Sequence, residues 1–252
     1  MADTKQPKFP SEIIDLPSRG IVYPKDSPLS DGKVEIKYMT AKEEDILTSQ
    51  NLIKKGIVVD VLLNSLILTK GVTSEDLIIG DKNAVMVAAR ILAYGSEYEV
   101  EVTNPETAEK FKHTFNLTEC PFKELPKEID YSKNLFELKL PISKKIVQFK
   151  LLDGKDEKVI DMELKKTEKL GTTSDITTRL RHSIVSVDGD EDKAVINMFV
   201  NNMLSRDSLA FRQYIAKIAP DVVLEQDVDM EGELVTVDIP LTTEFFWPTS
   251  EA

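Results

Sequence analysis

Apolar and polar residues alternate through Val34-Glu-Ile-Lys37, the period of a strand with one buried face, and the chain then runs through Thr40 into Ala41-Lys-Glu-Glu-Asp-Ile-Leu47. Thr40 with Glu43 three residues on predicts a capped helix start, in which the acidic side chain returns to the cap's own N–H. The same succession recurs 113 positions later at Val147-Gln-Phe-Lys150, with Asp153 as the cap and Asp156 as the returning acid. Further matches follow in the same order. Asn64-Ser-Leu-Ile-Leu-Thr-Lys-Gly71 lies over His182-Ser-Ile-Val-Ser-Val-Asp-Gly189, each expected to end a helix with a glycine just beyond its C-terminus. Asp81 lies over Asp207, each expected as the N-cap of an apolar-periodic helix. A hairpin then closes each copy: Tyr98, Val100 and Val102 with Phe111, Phe115 and Leu117 in the first, Val235, Val237 and Ile239 in the second.

The expected fold class is α+β, built as two diverged copies of one strand–helices–β-hairpin unit over residues 34–118 and 137–242. Residues 119–136, with Pro121 and Pro126, read as an extended linker. Residues 1–33 hold Pro7, Pro10, Pro17, Pro24 and Pro28 and are expected to form an extended arm, because proline lacks the N–H that a helix interior or a ladder requires. An aromatic tail occupies residues 243–252.

Composition narrows the function classes. Acidic residues outnumber basic ones 44 to 32, and the net charge of −12 repels phosphate at long range, which argues against a nucleic-acid binder. No apolar run approaches the roughly 20 residues of a membrane-spanning helix, and Met1-Ala-Asp-Thr-Lys-Gln-Pro-Lys8 does not read as a secretory signal. The single cysteine, Cys120, excludes an internal disulfide and fits a cytosolic compartment.

Catalytic material is sparse. His113 alternates onto an apolar strand face, and His182 falls at a helix end, where the dipole accounts for it. Cys120 has no adjacent base to activate it, and no phosphate-cradling glycine motif is present. Asp188-Gly-Asp-Glu-Asp192 lacks the ligand order of a calcium loop and reads as a helix start. No catalytic residue, cofactor or small-molecule substrate is therefore expected. A carboxylate enzyme or a peptide-binding adaptor remains only a distant alternative.

Two features invite a reading as binding surface. Phe245, Phe246 and Trp247, the last being the only tryptophan, lie between Pro240 and Pro248 near the C-terminus, where they either plug the chain's own core or anchor a partner. Arg206 and Arg212 flank the start of the Asp207 helix and are expected to pair with acids there or on a partner.

Four stretches carry a resemblance: Leu16-Pro-Ser-Arg-Gly-Ile-Val-Tyr-Pro24; Lys37 to Leu47 with Asn51-Leu-Ile-Lys-Lys-Gly56; Ser205-Arg-Asp-Ser-Leu-Ala-Phe-Arg212; and Asp238-Ile-Pro240 with Phe245-Phe-Trp-Pro248. Together they resemble the T4-type baseplate proteins of contractile-tailed phages, which include hub subunits and hub-assembly proteins. The resemblance implies a non-enzymatic role in virion assembly, as a hub component or as a chaperone absent from the finished particle, with other hub or wedge proteins as partners. It also implies a location in the host cytoplasm during assembly and, for a resident subunit, in the tail baseplate. Some relatives carry a C-x-x-C pair in each hairpin turn. Here Asn104-Pro-Glu-Thr107 and Val228-Asp-Met-Glu231 supply no thiolate, so no metal is expected.

Overall fold

The computed structural model describes residues 9–103, 107, 110–168, 174–230, 233–241 and 243–246. It is α+β, with helices set against small sheets whose strand pairings are all antiparallel. Strand β1 (Ser11–Asp15) pairs with β2 (Lys33–Lys37). Helices α1 (Ala41–Thr48), α2 (Gln50–Lys55), α3 (Val58–Leu66) and α4 (Ile79–Tyr94) follow, and β3 (Glu97–Thr103) pairs with β4 (Lys110–Asn116). The second half opens with β5 (Phe136–Lys139) and β6 (Ile146–Phe149), then α5 (Gly154–Glu168) and α6 (Asp175–Ser183). Strand β7 (Ile184–Val187) joins β6, and α7 (Lys193–Asn201), α8 (Ser205–Ile218) and the hairpin β8 (Glu225–Met230) with β9 (Glu233–Asp238) complete it.

Each half thus runs through hairpin, helices, a short return strand, a long helix and a second hairpin. The return strand of the first half is a single bridge, Ile36 to Ile67, where the second half has β6–β7 pairing at Phe149 and Ile184. The helix starts match in chemistry as well. Glu43 accepts the Thr40 N–H at 3.0 Å and the Lys37 ammonium at 2.7 Å. Asp156 accepts the Asp153 N–H at 3.2 Å and the Lys150 ammonium at 2.7 Å.

Three expectations need correction. Residues 11–33 are not an extended arm: β1 pairs along the whole of β2, and Leu16, Val22 and Leu29 are buried. Pro17, Pro24 and Pro28 sit in successive turns, positions that the fixed φ of proline suits as well as an extended chain does. The boundary at 33/34 therefore falls inside a hairpin, and the one at 136/137 falls inside β5. Second, Gly71 and Gly189 do not end helices. α3 stops at Leu66 and α6 at Ser183, and the glycines turn the chain at φ 77° and 83° after the return strands. Third, Val228 and Asp229 are not turn residues: they belong to β8, opposite Val235 and Leu234, and the pairing continues to Met230.

The apolar core has two parts. The second is formed by the second half, around Phe136, Val147, Phe149 and Phe211, with Val22 and Ile78 reaching in from the first half. The first surrounds Leu62, Leu63, Leu66 and Val85, and it is completed by Val228, Val237, Ile239, Phe245 and Phe246 from the far end of the chain. Both hairpins therefore pack on the first half: Tyr98 donates to the Pro240 carbonyl at 3.3 Å, and Gln226 donates to the Asn116 carbonyl at 2.8 Å.

Candidate interaction surfaces

The two halves meet along a seam that requires glycine. A Cβ on Gly80, in the first turn of α4, would lie 1.8 Å from the Pro220 carbonyl oxygen, and one on Gly154, which opens α5, would lie 2.7 Å from the backbone at Ser74 and Glu75. Only bare backbone fits at either place. A bridge between Ile78 and Asp153, the Gly154 N–H to the Leu77 carbonyl (3.0 Å) and Asn83 to Asp221 (3.1 Å) fasten the seam. Lys155 and Asp76 add an ion pair at 2.6 Å.

Beside the seam lies a largely apolar cavity of about 340 Å³, between Ile79 on α4, Ile176 and Arg179 on α6, and Phe211, Arg212 and Ile215 on α8. Its carboxylates are already engaged. Asp175 takes the Arg179 guanidinium at 3.0 Å, and Asp221 takes Asn83 and the Val222 N–H. On the other side of Ile79 a more polar cleft of about 670 Å³ is lined by Lys82, Glu157, Lys158 and Asp161.

Asp81 and Asp207 are both buried, but neither caps a helix. The N-cap positions are Ile78 and Leu204, and each aspartate sits in the first turn and reaches outward to a loop. Asp81 accepts the Ser18 N–H (2.9 Å), the Ser18 hydroxyl (2.6 Å) and the Tyr23 hydroxyl (2.6 Å). Asp207 accepts the N–H groups of Ile142 (2.8 Å) and Ser143 (2.9 Å). Burial raises the Asp81 carboxyl pKa in spite of its hydroxyl donors, whereas at Asp207 burial is outweighed by the two backbone donors and the pKa falls. The two loops share a Leu-Pro pair, Leu16-Pro17 and Leu140-Pro141, followed by Arg19 and Lys144 in the left-handed region at φ 52° and 60°. That repeated dipeptide was the available sequence signal for the pins.

Arg206 and Arg212 are both exposed on α8, and neither makes an ion pair among the described residues, so the pairing expected within the chain is not formed there. Leu209, 47% exposed, stands between them at i, i+3 spacing from each. The aromatic tail is placed otherwise. Phe245 (0% exposed) packs edge-on against Tyr98 at 5.0 Å between ring centres, and Phe246 (1% exposed) fills the same core. Neither ring is left open to a partner, and Trp247 lies outside the described residues. The physical reason is the crossing of the second hairpin onto the first half, which carries the tail to an open core.

The remaining candidates are accounted for locally. His113 is half-buried and stacks edge-on with Phe115 at 4.7 Å. His182 ends α6 with Glu163 at 3.3 Å, and Asp192 caps α7 through the Ala194 N–H at 2.8 Å. Burial raises the Cys120 thiol pKa, which holds it away from the reactive thiolate.

Residues 21–229 match the protein family described as T4 bacteriophage base plate protein. The chain belongs to that family. The match takes in the seam, the Asp207 pin, Asp81 with Tyr23, and the Arg206–Arg212 face, but it leaves out Ser18 and Phe245. No curated protein and no solved structure gives a significant match. Membership gives the baseplate protein a structural or assembly role in the phage tail, with other baseplate components as its partners. No helix among the described residues is long and apolar enough to cross a membrane.

Proposed function

We propose that this baseplate protein is a non-enzymatic component or assembly factor of the baseplate hub, working through contacts with hub or wedge proteins. The observation that carries the reading is the family match over residues 21–229, which spans the seam between the halves. The largely apolar lining of the cavity, where Asp175 holds Arg179 and Asp221 holds Asn83, supports it. We also propose that the halves are diverged copies of one unit. The shared Lys37–Glu43 and Lys150–Asp156 pairs, the two aspartate pins and the common element order support this reading.

Deletion of the gene is expected to leave infected cells without complete tails. Normal particle yield after deletion would overturn the proposal. Mass spectrometry of purified virions then separates a resident subunit, which is present, from a transient chaperone, which is absent.

A further inference from the structure

The long helices of the two halves, α4 and α8, correspond at a spacing of 126 residues, which sets Gly80, Asn83 and Met86 over Arg206, Leu209 and Arg212. The first set is covered. Pro220 and Asp221 run across it, with the Pro220 carbonyl against Gly80 and the Asp221 carboxylate on Asn83, and Met86 is 8% exposed. The second set is open. Arg206, Leu209 and Arg212 are all exposed, Arg212 also lining the cavity beside the seam, and Lys217 continues the exposed side of the helix.

Among the described residues, neither Arg206 nor Arg212 makes an ion pair. Arg206 stands in the first turn of α8, the end at which the helix dipole disfavours a cation. Lys144 is brought to the same end by the loop that Asp207 pins, its ammonium donating to the Pro141 carbonyl at 2.7 Å. The acid of the first turn, Asp207, is buried and already occupied by backbone N–H groups. A cationic face with an apolar centre is thus maintained on a chain of net charge −12.

We propose that this outer face of α8 docks an acidic segment of another baseplate protein, which sets carboxylates on Arg206 and Arg212 and an apolar side chain on Leu209. The inference rests on the baseplate role and on the correspondence between the halves. In the first half the covering segment also brings a carboxylate, Asp221, but the close backbone approach seen at Gly80 is blocked where Arg206 stands. The docked segment is therefore held by its side chains, at the longer reach of an arginine. The overall negative charge disfavours nucleic acid as the occupant.

The test uses the full-length chain and the individually purified hub and wedge proteins of the same phage. One of these is expected to bind, more weakly as salt rises. R206E/R212E should weaken that binding at least ~10-fold, and L209D should do the same. An Asp→Arg or Glu→Arg change in the partner's acidic segment should restore binding to R206E/R212E. Carbodiimide coupling should link Lys144 or Lys217 to those partner acids. All three positions are exposed, so circular dichroism and Tm should be unchanged; if R206E/R212E unfolds, R206Q/R212Q takes its place in the same measurement.

Equal affinity of wild type and variants, or no binding by any of these proteins, overturns the inference. So does self-association, or binding to an oligonucleotide, that is lost in R206E/R212E. If deletion of the gene abolishes tails while R206E/R212E binds and assembles normally, the baseplate role stands and only the assignment of this face fails.

Discussion

At the scale of single residues, the buried carboxylates Glu43, Asp81 and Asp207 are each satisfied by fixed donors. Asp207 holds two loop N–H groups, and an amide in its place would turn an N–H₂ toward one of them. D207N is therefore expected to cost about 2 kcal/mol or more in urea unfolding, whereas the exposed R206Q should be near neutral. Glu43 offers a pH signature. Burial alone would raise its pKa, but Lys37, Ser65 and Thr40 together hold it down to about 2, below the ordinary value of 4.5. A depressed folded pKa contributes stability that is complete above the unfolded value and is lost as pH falls toward the folded one. The stability difference between wild type and E43Q, followed by urea midpoint, should hold steady above pH 4.5 and shrink from there toward pH 2. These residues were only half legible. Thr40 with Glu43 and Asp153 with Asp156 are local pairs visible at three-residue spacing. Asp81 looked like a helix cap because its true partner, Ser18, lies 63 positions away.

Among the elements, the seam makes the sharpest claim. G80A drives a Cβ into the Pro220 carbonyl at the junction of α4 with the end of α8, and it should lower stability by about 3 kcal/mol or more. G71A meets nothing within 4 Å and carries only the strain of φ 77°, so about 1 kcal/mol is expected. The contrast, read from thermal melts, separates steric closure of the seam from backbone conformation. The element types were legible from alternation at Tyr98–Val102 and from the capped starts of α1 and α5. The β1–β2 hairpin was not, because prolines at 17, 24 and 28 mark turns and extended chain alike. The hidden Gly80–Pro220 approach was also not, because a glycine's empty side names no neighbour. The tail was read with two outcomes open. Alternation could not decide between them, since the second hairpin's destination is set by long-range packing.

For the whole molecule, the exchange of the C-terminal hairpin onto the first half ties both ends of the chain into one core. F246A should cost about 3–5 kcal/mol and lower the melting temperature of both halves together, and calorimetry of the wild type should show a single transition. A fragment ending at residue 135 should fail to give a cooperative melt, because Val228, Val237, Ile239, Phe245 and Phe246 are missing from its core. The same feature sets a schedule during translation. The first half leaves the ribosome with the apolar side chains of Leu62, Leu63 and Tyr98 lacking their C-terminal partners, and it waits for over a hundred further codons, on the order of ten seconds, before residue 246 is made. Throughout that interval the nascent chain shows apolar surface to host chaperones and proteases, and a product cut short by a premature stop shows it permanently. A chain stopped before the last hairpin is therefore expected to be degraded faster than the whole one, which pulse-chase labelling of the two side by side would show.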